Sequence, residues 1–152
     1  MELFNPKHLD TPHWNGRNKL IVDNFLDPNK TLIDIGCGTK QILKLYTPIN
    51  YLGVDGLPDA DVVVDLNSEF TLPGGWDYVM CSGIFEHIDF PDQLLKKVLG
   101  LGNEYIFTWW TGTGYGRMSH ARMEDLIQRD YRIIKELPWG PVQKIYKCVS
   151  KF

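Results

Sequence analysis

Two segments of the sequence combine residue types that do chemistry at a useful spacing. The first, Leu32-Ile33-Asp34-Ile35-Gly36-Cys37-Gly38-Thr39, ends an apolar run in two glycines one residue apart. Glycine lets the backbone turn sharply and approach a ligand closely, so Gly36 and Gly38 read as a ligand-facing loop. Asp34 can fix that turn and offer negative charge to a ligand ammonium. The second segment, Tyr51-Leu52-Gly53-Val54-Asp55, closes on an acid. Asp55 lies about 20 residues beyond the loop, the separation at which a carboxylate meets ribose hydroxyls in sheet-based nucleotide sites. A carboxylate can accept from both hydroxyls at once. Asp65, in Val62-Val63-Val64-Asp65-Leu66-Asn67, closes a third apolar run on an acid and by itself reads equally as a helix or turn cap. Glu86-His87 also has two. His87, with a reference pKa of about 6.5, can serve as a general base, or the pair can simply open a helix.

These residues need elements to hold them. Thr31–Ile35 reads as a buried strand, because a parallel strand covered on both faces loses polar alternation. Further strands are predicted at Tyr51–Val54, Asp61–Leu66, Trp76–Cys81 and Tyr105–Trp110. Helices are predicted at Gly16–Phe25, Lys40–Tyr46 and Phe90–Leu99, and one behind Ser119 as N-cap. Tyr131–Leu137 and Lys144–Val149, joined through Pro138-Trp139-Gly140-Pro141, read as an antiparallel hairpin. The five residues Gly56–Ala60 are too few for an ordinary crossover helix between the second and third strands. The order is that of an α/β fold with a doubly wound, Rossmann-like, mostly parallel sheet of seven strands and a C-terminal antiparallel hairpin. Such sheets bind ligands beyond the carboxyl ends of their strands. Trp109, Trp110 and Tyr115 follow the fifth strand at that edge and can clamp a substrate or cover a cation. Alternate strand residues face opposite sides, so one of the two tryptophans belongs to the core. His13, Trp14 and Arg17 read as surface in preference to a closing arm.

The 152 residues suit one domain, 1–152, with an N-terminal arm and helix over 1–30. Apolar residues at 43% and charged residues at 23% exclude disordered and collagen-like classes. A net charge of −3, with Lys and Arg scattered, weighs against a nucleic-acid partner. The three cysteines form no C-x-x-C pair, so no metal site is predicted. The first residues lack a basic stretch followed by an apolar one, and no apolar run nears the roughly 20 residues of a membrane span. The expectation is a cytoplasmic protein without a membrane partner.

From Thr31 to Trp110 the chain resembles the class I S-adenosylmethionine-dependent methyltransferases, of the small "methyltransferase domain 11" kind. The resemblance rests on the glycine loop after Asp34, on Asp55 and Asp65, and on Trp76-Asp77-Tyr78-Val79-Met80-Cys81-Ser82-Gly83-Ile84-Phe85-Glu86-His87-Ile88. It implies S-adenosyl-L-methionine as cofactor, held by Asp34, Gly36, Cys37, Gly38, Asp55, Gly56, Asp65, Leu66 and Ser82. Asp65 would meet the adenine amino group, and the Leu66 N–H the ring. It implies a small-molecule methyl acceptor; from their position Trp110, Tyr115 and Glu86 are the candidates to contact it, and His87 is the candidate catalytic base. Departures are Lys40, a cation where the family often has a third glycine, the missing crossover helix and the short first helix. A nicotinamide-dependent oxidoreductase is the rival, but its G-x-G-x-x-G fingerprint would end at Gln41. A non-catalytic cofactor-binding sensor or subunit is the other alternative. The acceptor and the oligomeric state are not legible in the sequence.

Overall fold

The computed structural model describes residues 12–110, 119–140 and 143–152, with every side chain in these ranges except those of 12–14 and 110. The strands are β1 (Thr31–Ile35), β2 (Asn50–Asp55), β3 (Val62–Val63), β4 (Trp76–Ser82), β5 (Gly102–Trp110), β6 (Tyr131–Trp139) and β7 (Gln143–Ser150). They form one sheet in the order β3-β2-β1-β4-β5-β7-β6. β1, β2, β3, β4 and β5 pair in parallel, while β7 is antiparallel to both β5 and β6. The predicted seven strands and closing hairpin are present. The hairpin's second strand inserts between β5 and β6.

The helices are α1 (Pro12–Phe25), α2 (Pro91–Val98) and α3 (His120–Asp130). The central strands are buried on both faces, which explains their lack of polar alternation. Ile33, Ile35, Val79, Cys81, Tyr105 and Phe107 pack with the apolar stripes of α2 and α3. Leu32, Tyr78, Met80, Ile106 and Ile145 pack with Ile21 and Phe25 of α1. Full burial of one such side chain contributes about 1.5–3 kcal/mol. Tyr131 lies edge-on to Tyr105 and Phe107, at centroid distances of 4.8 and 5.2 Å, and its hydroxyl donates to Leu95 O at 2.6 Å. α2 starts on Pro91, whose missing N–H costs nothing there. Ser119 caps α3 as expected, its Oγ accepting from Arg122 N at 3.1 Å. Among the described residues no helix is long and apolar enough to cross a membrane.

Two expected elements are shorter than the sequence suggested. The helix predicted over Lys40–Tyr46 is a four-residue 3-10 turn, Gln41–Lys44. The six-residue strand predicted over Asp61–Leu66 keeps only Val62–Val63. Asp65 ends it by turning the chain: its Oδ1 accepts from Asn67 N at 2.9 Å and its carbonyl from Ser68 N at 2.9 Å. That local bonding competes with a strand ladder. The missing crossover helix also has a simple cause. β3 pairs only with the tip of β2, Val62 beside Val54 and Val63 beside Asp55. The connector descends only to Asp61, whose N–H donates to Gly53 O at 2.9 Å. Six residues span that short return, whereas a full crossover must travel the length of a strand.

Candidate functional site

The order β3-β2-β1-β4 reverses direction between β1 and β4, and a cleft of about 430 Å3 opens beyond the carboxyl ends of these strands. β1 and its loop supply Asp34, Gly36, Cys37 and Gly38 to the lining. The tip of β2 supplies Asp55 and Gly56, and the turn after β3 supplies Asp65 and Leu66. Ser82 closes β4 at the cleft, and His87 reaches it from a 3-10 turn, Phe85–His87. All ten residues, scattered over more than fifty positions of sequence, border one cavity.

The glycine loop is fastened from below. The N–H groups of Gly36 and Cys37 both donate to Val54 O, at 2.7 and 3.1 Å. The Gly38 N–H donates to Asp55 Oδ2 at 2.8 Å, and the Lys40 N–H to Cys37 O at 2.8 Å. Gly36 has φ +80°, and a β-carbon there would lie 2.8 Å from Cβ of Ile84. Only glycine fits that turn with Ile84 against it. Asp55 Oδ1 accepts from Leu57 N at 3.2 Å, so the carboxylate ties the loop to the β2–β3 connector.

Asp34 is 3% exposed, and Tyr51 donates its hydroxyl to Oδ2 at 2.8 Å. Burial raises its pKa from 3.8 to about 7, helped by the Asp55 charge and opposed by the Tyr51 hydrogen bond, Arg17 and Lys40. A positive ligand group beside it would restore its charge. Burial lowers the pKa of His87 while the Asp55 charge raises it, leaving a half-buried imidazole that is neutral at pH 7. Burial raises the Cys37 thiol well above its ordinary value, so it is no nucleophile. Asp65 is exposed and caps a turn, although it also borders the cleft. The Leu66 N–H has no hydrogen-bond partner among the described residues.

Arg17 reverses its expected surface position. It is 7% exposed, lines the cleft and lies close enough to Gly83 for a β-carbon there to meet its Nη1 at 2.6 Å. Burial lowers its pKa to about 10, against the charges of Glu86 and Asp34, and it remains cationic at pH 7. Glu86, expected at the substrate, is outside the lining and acts on Arg17. Trp109 is the core tryptophan of its pair, 2% exposed and stacked on Tyr146 at 4.9 Å. Trp110 ends β5 opposite Gln143, and its side chain, like all of Tyr115, lies outside the described residues. Lys40 adds no cation to the lining, because its ammonium turns away to Asp61 Oδ1 at 2.7 Å.

Sequence reasoning missed Asn18, Gln41, Leu57, Met80 and Ile84, which also border the cleft. Ile84, two residues beyond β4, was reachable by the strand-tip rule. Asn18 was not, since nothing in a helix sequence reveals the sheet edge it will cross. Two buried acceptors in the lining, Ser82 Oγ and Gln41 Oε1, have no hydrogen-bond partner among the described residues. Buried polar atoms ordinarily find one, so both fit contacts with a polar ligand.

No protein-family model matches the sequence, and no curated protein matches it. Solved structures do. A SAM-dependent methyltransferase from Aquifex aeolicus has a TM-score of 0.75 at 14% identity, covering 97% of this chain and all of that one (100%). The N-methyltransferase NodS from Bradyrhizobium japonicum WM9, solved with S-adenosyl-L-homocysteine, has a TM-score of 0.75 at 9% identity, over 95% of this chain and 91% of its own. The [4+2]-cyclase SpnF has a TM-score of 0.67 at 12% identity, over 90% and 80%. Identities this low speak to architecture. The chain has the Rossmann-like fold of the class I S-adenosylmethionine-dependent methyltransferases.

Proposed function

We propose that this chain, acting as one domain, binds S-adenosyl-L-methionine at the strand-tip cleft and transfers its methyl group to a small-molecule acceptor. One observation carries the reading: acids from the tips of β1 and β2 and from the turn after β3 border one cavity whose glycine loop has four of its five amides, all but that of Thr39, bonded within the protein. A pyrophosphate needs free loop amides and the N-terminus of a real helix. Here the N–H groups of Gly36, Cys37, Gly38 and Lys40 bond within the protein, and only a 3-10 turn follows. The site suits a cationic nucleoside without phosphates and speaks against a nicotinamide dinucleotide.

The bound cofactor would supply an activated methyl on a sulfonium. The residues supply position and charge. Asp34 and Arg17, of opposite sign, suit the ammonium and carboxylate of an amino-acid moiety. Asp55 has lone pairs left for ribose hydroxyls. The turn at Asp65 with the free N–H of Leu66 suits an adenine edge. His87, neutral at pH 7, can take a proton from a hydroxyl or amine acceptor. Alignment of acceptor and methyl is worth about 7–11 kcal/mol of barrier lowering.

The same fold carries a chain named as a [4+2]-cyclase, so cofactor binding without methyl turnover is the second reading. Calorimetry with S-adenosylhomocysteine tests binding. Asp55→Ala is expected to lose at least about tenfold in affinity, as for removal of a charged hydrogen-bond partner; equal affinity in wild type and variant refutes the assignment. His87→Ala is expected to keep that affinity and lose about 10²-fold or more in turnover. Mass spectrometry of small molecules purified with the protein would identify cofactor and acceptor.

A further inference from the structure

Lys40 carries a backbone that a lysine rarely adopts, with φ 60° and ψ 38°. Its side chain crosses β2 at Gly53, where a β-carbon would come within 3.1 Å of Lys40 Cε and 2.9 Å of Cys37 Sγ. The ammonium reaches Asp61 Oδ1 at 2.7 Å, and the other oxygen of Asp61 accepts from Gly53 N at 2.8 Å. The Lys40 ammonium also lies 6.0 Å from the ring centroid of Tyr51, the residue that holds Asp34. One pair thus joins the glycine loop, the middle of β2 and the connector that begins at Gly56. The loop and the start of the connector, Gly56 and Leu57, both line the cleft. Apart from this pair, the connector is held by the Asp61 N–H on Gly53 O at 2.9 Å and by the Leu57 N–H on Asp55 Oδ1 at 3.2 Å.

We propose that the Lys40–Asp61 pair is a strap that fixes the glycine loop against the β2–β3 connector and so sets the fit of the nucleoside half of the cleft. Both are positioning residues. The strap itself follows from the geometry alone; its effect on a ligand rests on the methyl-donor reading.

Lys40→Met keeps the backbone conformation and the packed stem but removes the charge, and Asp61→Asn keeps an acceptor for Gly53. Hydrogen exchange of the unliganded protein is expected to rise in both variants, by up to about fivefold, the range for a partly exposed ion pair. The rise should include both 36–40 and 56–61, whichever residue is changed. The double variant should be no worse than either single one, because the residues act as one unit. Lys40→Arg should restore protection. A rise confined to the segment bearing the substitution, or additive effects in the double variant, overturns the strap. With S-adenosylhomocysteine, the two charge-removing variants should lose a similar factor of about five in affinity. Wild-type affinity in both, with exchange raised, would leave the strap standing and overturn its role in ligand fit. A wild type that does not bind S-adenosylhomocysteine would overturn the methyl-donor reading and with it the ligand role, while exchange still decides the strap.

Discussion

Asp34→Asn separates the demands of folding from those of ligand binding. The wild-type carboxyl is buried and its pKa is raised from 3.8 to about 7. The folded state therefore holds this proton over a range in which the unfolded chain has released it. Stability from the raised pKa is complete below about pH 3.8 and is lost as pH climbs through about 7. Each pH unit in that window is worth at most about 1.4 kcal/mol, so the ceiling between pH 5 and pH 7 is about 2.7 kcal/mol. The folded carboxyl itself begins to release its proton near pH 7, which brings the expected change to about 2 kcal/mol. Asparagine does not titrate, and its Oδ1 can still accept from Tyr51. Urea unfolding of the unliganded protein at pH 5 and pH 7 reads the difference directly. The variant should gain about 2 kcal/mol relative to wild type between the two values. A gap that stays constant with pH refutes a raised pKa at Asp34. A variant that gains stability yet binds S-adenosylhomocysteine as well as wild type refutes the role of Asp34 toward a ligand ammonium.

Gly36→Ala forces a β-carbon onto φ +80° and to 2.8 Å from Cβ of Ile84; a loss of about 2–4 kcal/mol in urea unfolding is expected, and an unchanged midpoint would refute the steric account. Tyr131→Phe removes the hydroxyl that donates to Leu95 O inside the α2–α3 core. It should cost about 1–2 kcal/mol, with S-adenosylhomocysteine affinity unaffected; unaltered stability would show that the bond contributes nothing net.

The sheet and its binding edge are legible in local patterns of residues. The mostly apolar runs at Thr31–Ile35 and Trp76–Cys81, each with a single acid and no polar alternation, read as central strands, because water on one face would have imposed alternation. Gly36 and Gly38 just after β1, and Asp55 as the last residue of β2, mark the carboxyl edge for the same local reason: backbone turns and strand ends are written in neighbouring residues. Tertiary structure decided the rest. Asp61–Leu66 has the composition of a strand, but it pairs with only one neighbour and Asp65 bonds its own turn, so two residues remain extended. Arg17 looks like any exposed helix cation until α1 is laid over the end of β4, where burial and the charges of Asp34 and Glu86 define it. Lys40 looks like a charge entering the cleft, yet its direction depends on Asp61, twenty-one residues away across Gly53. Burial and pairing at a distance are properties of the assembled sheet, and no local spacing encodes them.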